Sequence, residues 1–136
     1  MTMFLSAIFL RLGMKAKQPS EAQIQRSIVT YLSIVLPNDY RCFAIPNASR
    51  RTASGFAMNA VAGLTKGVPD LCLLGPLGRS HWIEVKTAKG KLSKEQDDFG
   101  NWCVLNGVPW CLVRSVEDVQ TCLKAWNIPT KKAAWQ

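Results

Sequence analysis

Histidine occurs once in this chain, at His81, and acids are scarce, nine Asp and Glu against 17 Lys and Arg. The five cysteines (Cys42, Cys72, Cys103, Cys111 and Cys122) are scattered, with no Cys-x-x-Cys pair, so a typical zinc cluster is excluded. Their odd number and the lack of a secretion signal imply a reducing cytoplasm, where thiols within apolar runs serve as small hydrophobes. The apolar run Met3 to Leu10 is too short for a membrane span, which takes roughly 20 residues. It has about the length of a signal-peptide core, but no positive residue precedes it. Met14 offers an alternative start. Internal repeats and low-complexity segments are absent as well, and no membrane partner is expected.

What is present suits a single soluble domain. The 136 residues suffice for a sizeable core, and 48% are hydrophobic. The formal charge of +8 points to nucleic acid or another anionic surface. The positive residues form no single block, so a merely basic protein fits the charge too.

Residues 1–18 carry no fold signal beyond the apolar patch and Arg11, Lys15 and Lys17. Ser20 and Gln23 then form a capping box, and Ile24, Ile28, Tyr31, Leu32 and Val35 follow helical spacing up to Pro37-Asn38. Arg41 to Ile45 reads as a strand and Phe56 to Leu64 as a short helix. Two apolar runs flank Gly75 to Arg79, which is turn chemistry. Ser93 and Gln96 make a second capping box, followed by Phe99, Trp102 and Cys103 on a buried stripe. A strand at Trp110 to Arg114 and a helix capped by Ser115, with Val119, Cys122, Leu123 and Trp126 inward, complete the series. The order is α-β-(short α)-β-β-α-β-α, an α/β fold with a mixed central β-sheet flanked by helices.

Chemistry concentrates at the hairpin. With Gly75 to Arg79 as its loop, Leu74 faces Ser80, and the same register sets Asp70 opposite Glu84. Opposed residues share a face with Cβ atoms roughly 5 Å apart, and Lys86, two residues beyond Glu84, joins them. Two carboxylates with a lysine form a candidate site for a hard divalent cation such as Mg²⁺, because hard cations take oxygen ligands. The lysine is suited to positioning a nucleophile or stabilising charge on a phosphate. A hairpin with an exposed ion pair has the same short pattern.

Further candidates surround it. Glu21 begins the first helix, where it either reaches the metal site or complements the helix dipole. Gln96 either points back to the acidic hairpin or only caps its helix. Arg50 and Arg51 sit among small residues, as a phosphate-contacting loop or an ordinary solvated one. Lys66 precedes the Asp70 strand. Lys89, Lys91 and Lys94 crowd a helix start, which is locally unfavourable unless a phosphate-rich partner offsets it.

The ordered series Glu21-x-x-x-Gln25, Pro46-Asn47, Lys66-Gly67-Val68-Pro69-Asp70-Leu71, Ile83-Glu84-Val85-Lys86, Leu92-Ser93-x-x-Gln96 and Val113-Arg114-Ser115 resembles the VRR-NUC domain. This is the virus-type replication–repair branch of the restriction-endonuclease-like nucleases. The resemblance runs from about Ser20 to Trp126 and implies that fold. It implies metal ligation by Asp70, Glu84, the backbone carbonyl of Val85 and Glu21, with Lys86 as catalytic lysine and Gln96 near the active site. Mg²⁺ is the implied cofactor, with Mn²⁺ able to substitute. The chain then divides into an extension at 1–18, a nuclease domain at 19–128 and a flexible tail at 129–136.

Stand-alone members of that family look like Holliday-junction resolvases. The expected function is therefore a structure-selective endonuclease acting as a homodimer on branched DNA in phage recombination or repair, inside a bacterial or phage-infected cell. The rivals are a sequence-specific restriction-like nuclease and a nucleic-acid-binding module that does not cut.

Overall fold

The structure is a computed structural model that describes residue 13 and residues 15–46 and 61–132. The run Met3 to Leu10, the loop with Arg50 and Arg51, Asn47 and residues 56–60 of the expected short helix lie outside the described residues. What is described of that helix, 61–64, is a turn in which the Leu64 N–H donates to the Val61 carbonyl.

Helix α1 (Glu21–Val35) starts on Ser20 with both bonds of the expected capping box, and Ile24, Ile28, Leu32 and Val35 form its buried stripe. It stops at Leu36, which is extended because the next residue is Pro37. Strands β1 (Arg41–Ala44), β2 (Leu71–Leu74) and β3 (Ser80–Val85) follow. Helix α2 (Lys94–Leu105) then leads to strand β4 (Trp110–Val113), and helix α3 (Val116–Ala125) completes the domain. The strands form one sheet in the order β1-β2-β3-β4, antiparallel except for the parallel β3–β4 pair joined through α2. The mixed sheet flanked by helices is the expected fold class.

The β2–β3 hairpin keeps the register deduced from loop length, with Leu74 opposite Ser80 and Leu71 opposite Ile83. Leu77 and Gly78 take left-handed backbone, and the loop closes with the Gly75 N–H donating to the Arg79 carbonyl at 2.8 Å. One face of the sheet presents Leu71, Leu73, Ile83, Val85 and Val113 to the apolar stripes of α1 and α3. The other lies under α2. There Trp82 meets Phe99 with ring centroids 5.9 Å apart, and the Trp110 ring covers Gly100, where a β-carbon would come within 2.9 Å of it.

One expected inward residue points out. Trp102 is 54% exposed, because the buried line of α2 takes Gln96, Gly100 and Cys103, one helical face away from it. It packs on Phe99 at 6.3 Å instead. On α3, Val119 and Leu123 are buried while Cys122 and Trp126 are half-buried at the margin. Among the described residues, no helix is long and apolar enough to cross a membrane.

Candidate active site

Asp70 stands one residue before β2, where the pairing register continues to Glu84. Its backbone carbonyl accepts from the Ile45 N–H at 2.8 Å, which ties it to the end of β1. Its carboxylate Oδ2 accepts from the Val85 N–H, also at 2.8 Å. In extended backbone a residue's N–H and C=O lie on the same strand edge. The Val85 carbonyl therefore projects to the edge where Asp70 sits, while the neighbouring Lys86 N–H donates to Val113 on the β4 side.

Glu84, on the α2 face, is 1% exposed. Its Oε1 accepts from Gln96 Nε2 at 2.9 Å and lies 3.9 Å from Lys86 Nζ. Gln96 is simultaneously the capping residue, since its Oε1 accepts from the Ser93 N–H at 2.8 Å. Both roles considered for it are thus filled by one side chain: the carbonyl caps and the amide reaches the acid. Glu21 enters through the lysine, its Oε1 3.6 Å from Lys86 Nζ, and stays about half exposed. An open cleft of about 450 Å³ is lined by Glu21, Lys66, Asp70, Glu84, Lys86 and Gln96, with Lys91 at its side.

The electrostatics are costly. Burial, then the charge of Asp70 and a hydrogen bond to it, push the Glu84 carboxyl from its ordinary 4.5 up to about 8. Glu21 adds to the rise, and Lys86 opposes it. With both acids ionised, Glu84 Oε2 is buried without a partner. A proton on Glu84 lets its carboxyl hydrogen-bond to Asp70, which favours the protonated form. A folded chain that holds the buried Glu84 carboxyl beside the half-buried Asp70 carboxylate favours a proton or a cation shared by the pair.

The local chain is shaped for this approach. Gly67 has φ +87, and a β-carbon there would lie 2.3 Å from the Glu95 carbonyl. Only glycine lets the Lys66–Gly67 segment lie against the first turn of α2 and deliver Lys66 to the cleft. Lys89 and Lys94 are exposed and outside the cleft lining. Glu95 does line it, a position the sequence pattern did not single out because nothing in its spacing distinguishes it from a first-turn helix acid. Among the described residues, no group of three or more His, Cys, Asp and Glu side chains forms a ready-made metal cage.

No match to this chain was found among curated proteins. A solved structure described as a VRR_NUC domain is similar at 17% identity and a TM-score of 0.55, over 78% of this chain and 96% of that one. At that identity the likeness shows the fold. The VRR-NUC domain family matches residues 21–117, from the first residue of α1 into the first turn of α3, and takes in Glu21, Asp70, Glu84, Lys86 and Gln96. The chain belongs to the VRR-NUC domain family and has its nuclease-type fold.

Proposed function

We propose that this chain is a divalent-metal-dependent endonuclease that hydrolyses phosphodiesters of branched DNA. The observation that supports it most is the Asp70–Glu84 pair, in which a buried Glu84 with an unpartnered oxygen sits beside a half-buried Asp70, with Lys86 alongside. The donor set fits Mg²⁺, which is bound through one or two carboxylates, waters and substrate phosphate rather than an all-protein cage. Asp70, Glu84 and the Val85 carbonyl would hold it, with Glu21 completing the site from the Lys86 side. When bound, Mg²⁺ or Mn²⁺ supplies Lewis acidity, making a water more acidic and placing positive charge opposite the phosphate.

The chain's own groups do the rest. Gln96 holds Glu84 Oε1 and leaves Oε2 without a protein partner, so that this oxygen would be available to a cation. Lys86, anchored between Glu84 and Glu21, orients the attacking water and stabilises charge building on the phosphate. Lys66 and Lys91 at the cleft bind flanking phosphates, joined by Lys89 and Lys94 on the adjoining surface and by Arg50 and Arg51. Paired cuts on a four-way junction fit a homodimer with one site per subunit, as in phage recombination or DNA repair in the cytoplasm.

The test is cleavage of a mobile four-way junction, a flap and a linear duplex, each with Mg²⁺, Mn²⁺ or chelator, with Lys86→Ala in parallel. Symmetric, metal-dependent junction cuts that fall by at least about 10²-fold in the variant are expected. Cutting of linear duplex at a palindrome would favour a restriction-like enzyme. DNA bound but uncut throughout would favour a non-cutting module, and Lys86→Ala cutting at the wild-type rate would remove the lysine from the mechanism.

A further inference from the structure

We infer that Arg114, at the end of β4, is a positioning residue of this site: its guanidinium sets the turn that follows Lys86, and so holds Lys86 and Lys91 in place. The inference rests on the nuclease reading above for its catalytic consequence, though not for its structural one. Arg114 Nη1 donates to the backbone carbonyls of Thr87, Ala88 (3.3 Å) and Gly90 (2.8 Å). These acceptors lie 24 to 27 residues away in sequence and belong to a turn with no ladder of its own beyond the Gly90 N–H donating to Thr87 at 3.1 Å.

The turn folds back over the lysine. A β-carbon on Gly90 would lie 3.0 Å from Thr87 Oγ1 and 3.5 Å from the Lys86 β-carbon. Just before Arg114, the Val113 carbonyl accepts from the Lys86 N–H at 3.0 Å. The end of β4 therefore grips the backbone of Lys86 and the turn after it together. Arg114 is itself fixed, because its N–H donates to Asp118 Oδ2 at 2.8 Å and Asp118 is tied to the Ser115 cap of α3. Leaving the turn, the chain runs through Lys91, Leu92 and Ser93 along the cleft wall. A planar guanidinium gathers several carbonyls in a fixed geometry, which a single ammonium reproduces only in part.

Arg114→Met, Arg114→Lys and Gly90→Ala test this, read by steady-state kinetics on a DNA that the wild type cleaves and by hydrogen exchange of the Gly90 amide. Arg114→Met should lower kcat by about 10- to 100-fold, as misplacement of a reacting group does, with a smaller rise in KM from the loosened Lys91. Gly90 exchange should quicken in the same variant. Arg114→Lys should recover part of kcat, less than the wild type but above Arg114→Met. Gly90→Ala, which crowds the turn with Arg114 intact, should lower kcat as well, and it carries the test if Arg114→Met does not fold. A raised KM with unchanged kcat would make Arg114 a phosphate contact and overturn the inference, as would unaltered Gly90 exchange in Arg114→Met. If the wild type cuts no DNA, the nuclease reading fails, and the exchange measurement still decides whether Arg114 holds the turn.

Discussion

Strand β3 carries two opposite designs on its two faces. Ile83 and Val85 point into a dry core with α1 and α3 and are fully buried among apolar neighbours. Glu84, between them in sequence and as deeply buried, points at α2 and meets a second acid, an amide and an ammonium. The first face stabilises the fold by removing apolar surface from water. The second costs stability, since a buried carboxylate with an unpartnered oxygen is unfavourable until something neutralises it. A residue period of two lets one strand do both: the apolar face holds rigid what the acidic face needs held in place.

The comparison can be broken from either side. Ile83→Ala should destabilise the fold by about 2–5 kcal/mol, through lost burial and a cavity, in a denaturant titration. Glu84→Gln should do the reverse in metal-free protein at pH 8, raising stability by about 1–3 kcal/mol, because it removes charge from a buried carboxyl with one unpartnered oxygen. A loss of stability there would show that the acid is structurally needed. Activity should follow the opposite pattern, lost in Glu84→Gln and retained per folded molecule in Ile83→Ala.

The pH dependence sharpens the contrast. Burial and Asp70 raise the Glu84 carboxyl in the folded protein from 4.5 to about 8, so the folded state holds a proton that the unfolded chain has released. This contribution to stability is complete below pH 4.5 and is lost as pH rises through about 8. Metal-free protein should therefore lose stability across that window, and saturating Mg²⁺ or the Glu84→Gln change should flatten the slope. A wild-type slope identical with and without Mg²⁺ would detach the proton from the metal. The smallest effect expected is that of Gln96→Ala, about 1 kcal/mol of stability from the lost cap. Its effect on cleavage should be larger, about 10-fold or more, as for other residues that hold a metal ligand in place.

Much of this arrangement was legible in the chain. The Asp70–Glu84 opposition followed from the length of the Gly75–Arg79 loop, because a hairpin register is fixed by its turn. Gln96 stood out through its capping-box spacing from Ser93, and its second bond to Glu84 came from the same side chain. Local pattern failed where the partner is distant. Trp102 looked inward on helical spacing alone, but the face of α2 is set by Trp110 seated on Gly100, a contact between α2 and β4. Glu95 reaches the cleft only because Gly67 lets a remote loop lie against it. Arg114 belonged to a recognised motif, yet its carbonyl partners more than 20 residues upstream are visible only in the fold.

The most direct test of the account is Mg²⁺ titration calorimetry near pH 7, in two buffers of different ionisation enthalpy, on the wild type and on Glu84→Gln. The account predicts that wild-type protein binds Mg²⁺ and releases a proton, because the ion takes the place of the proton held on the Asp70–Glu84 pair, and that the variant binds far more weakly and releases none. Equal binding by both proteins, with no buffer dependence in either, would contradict it.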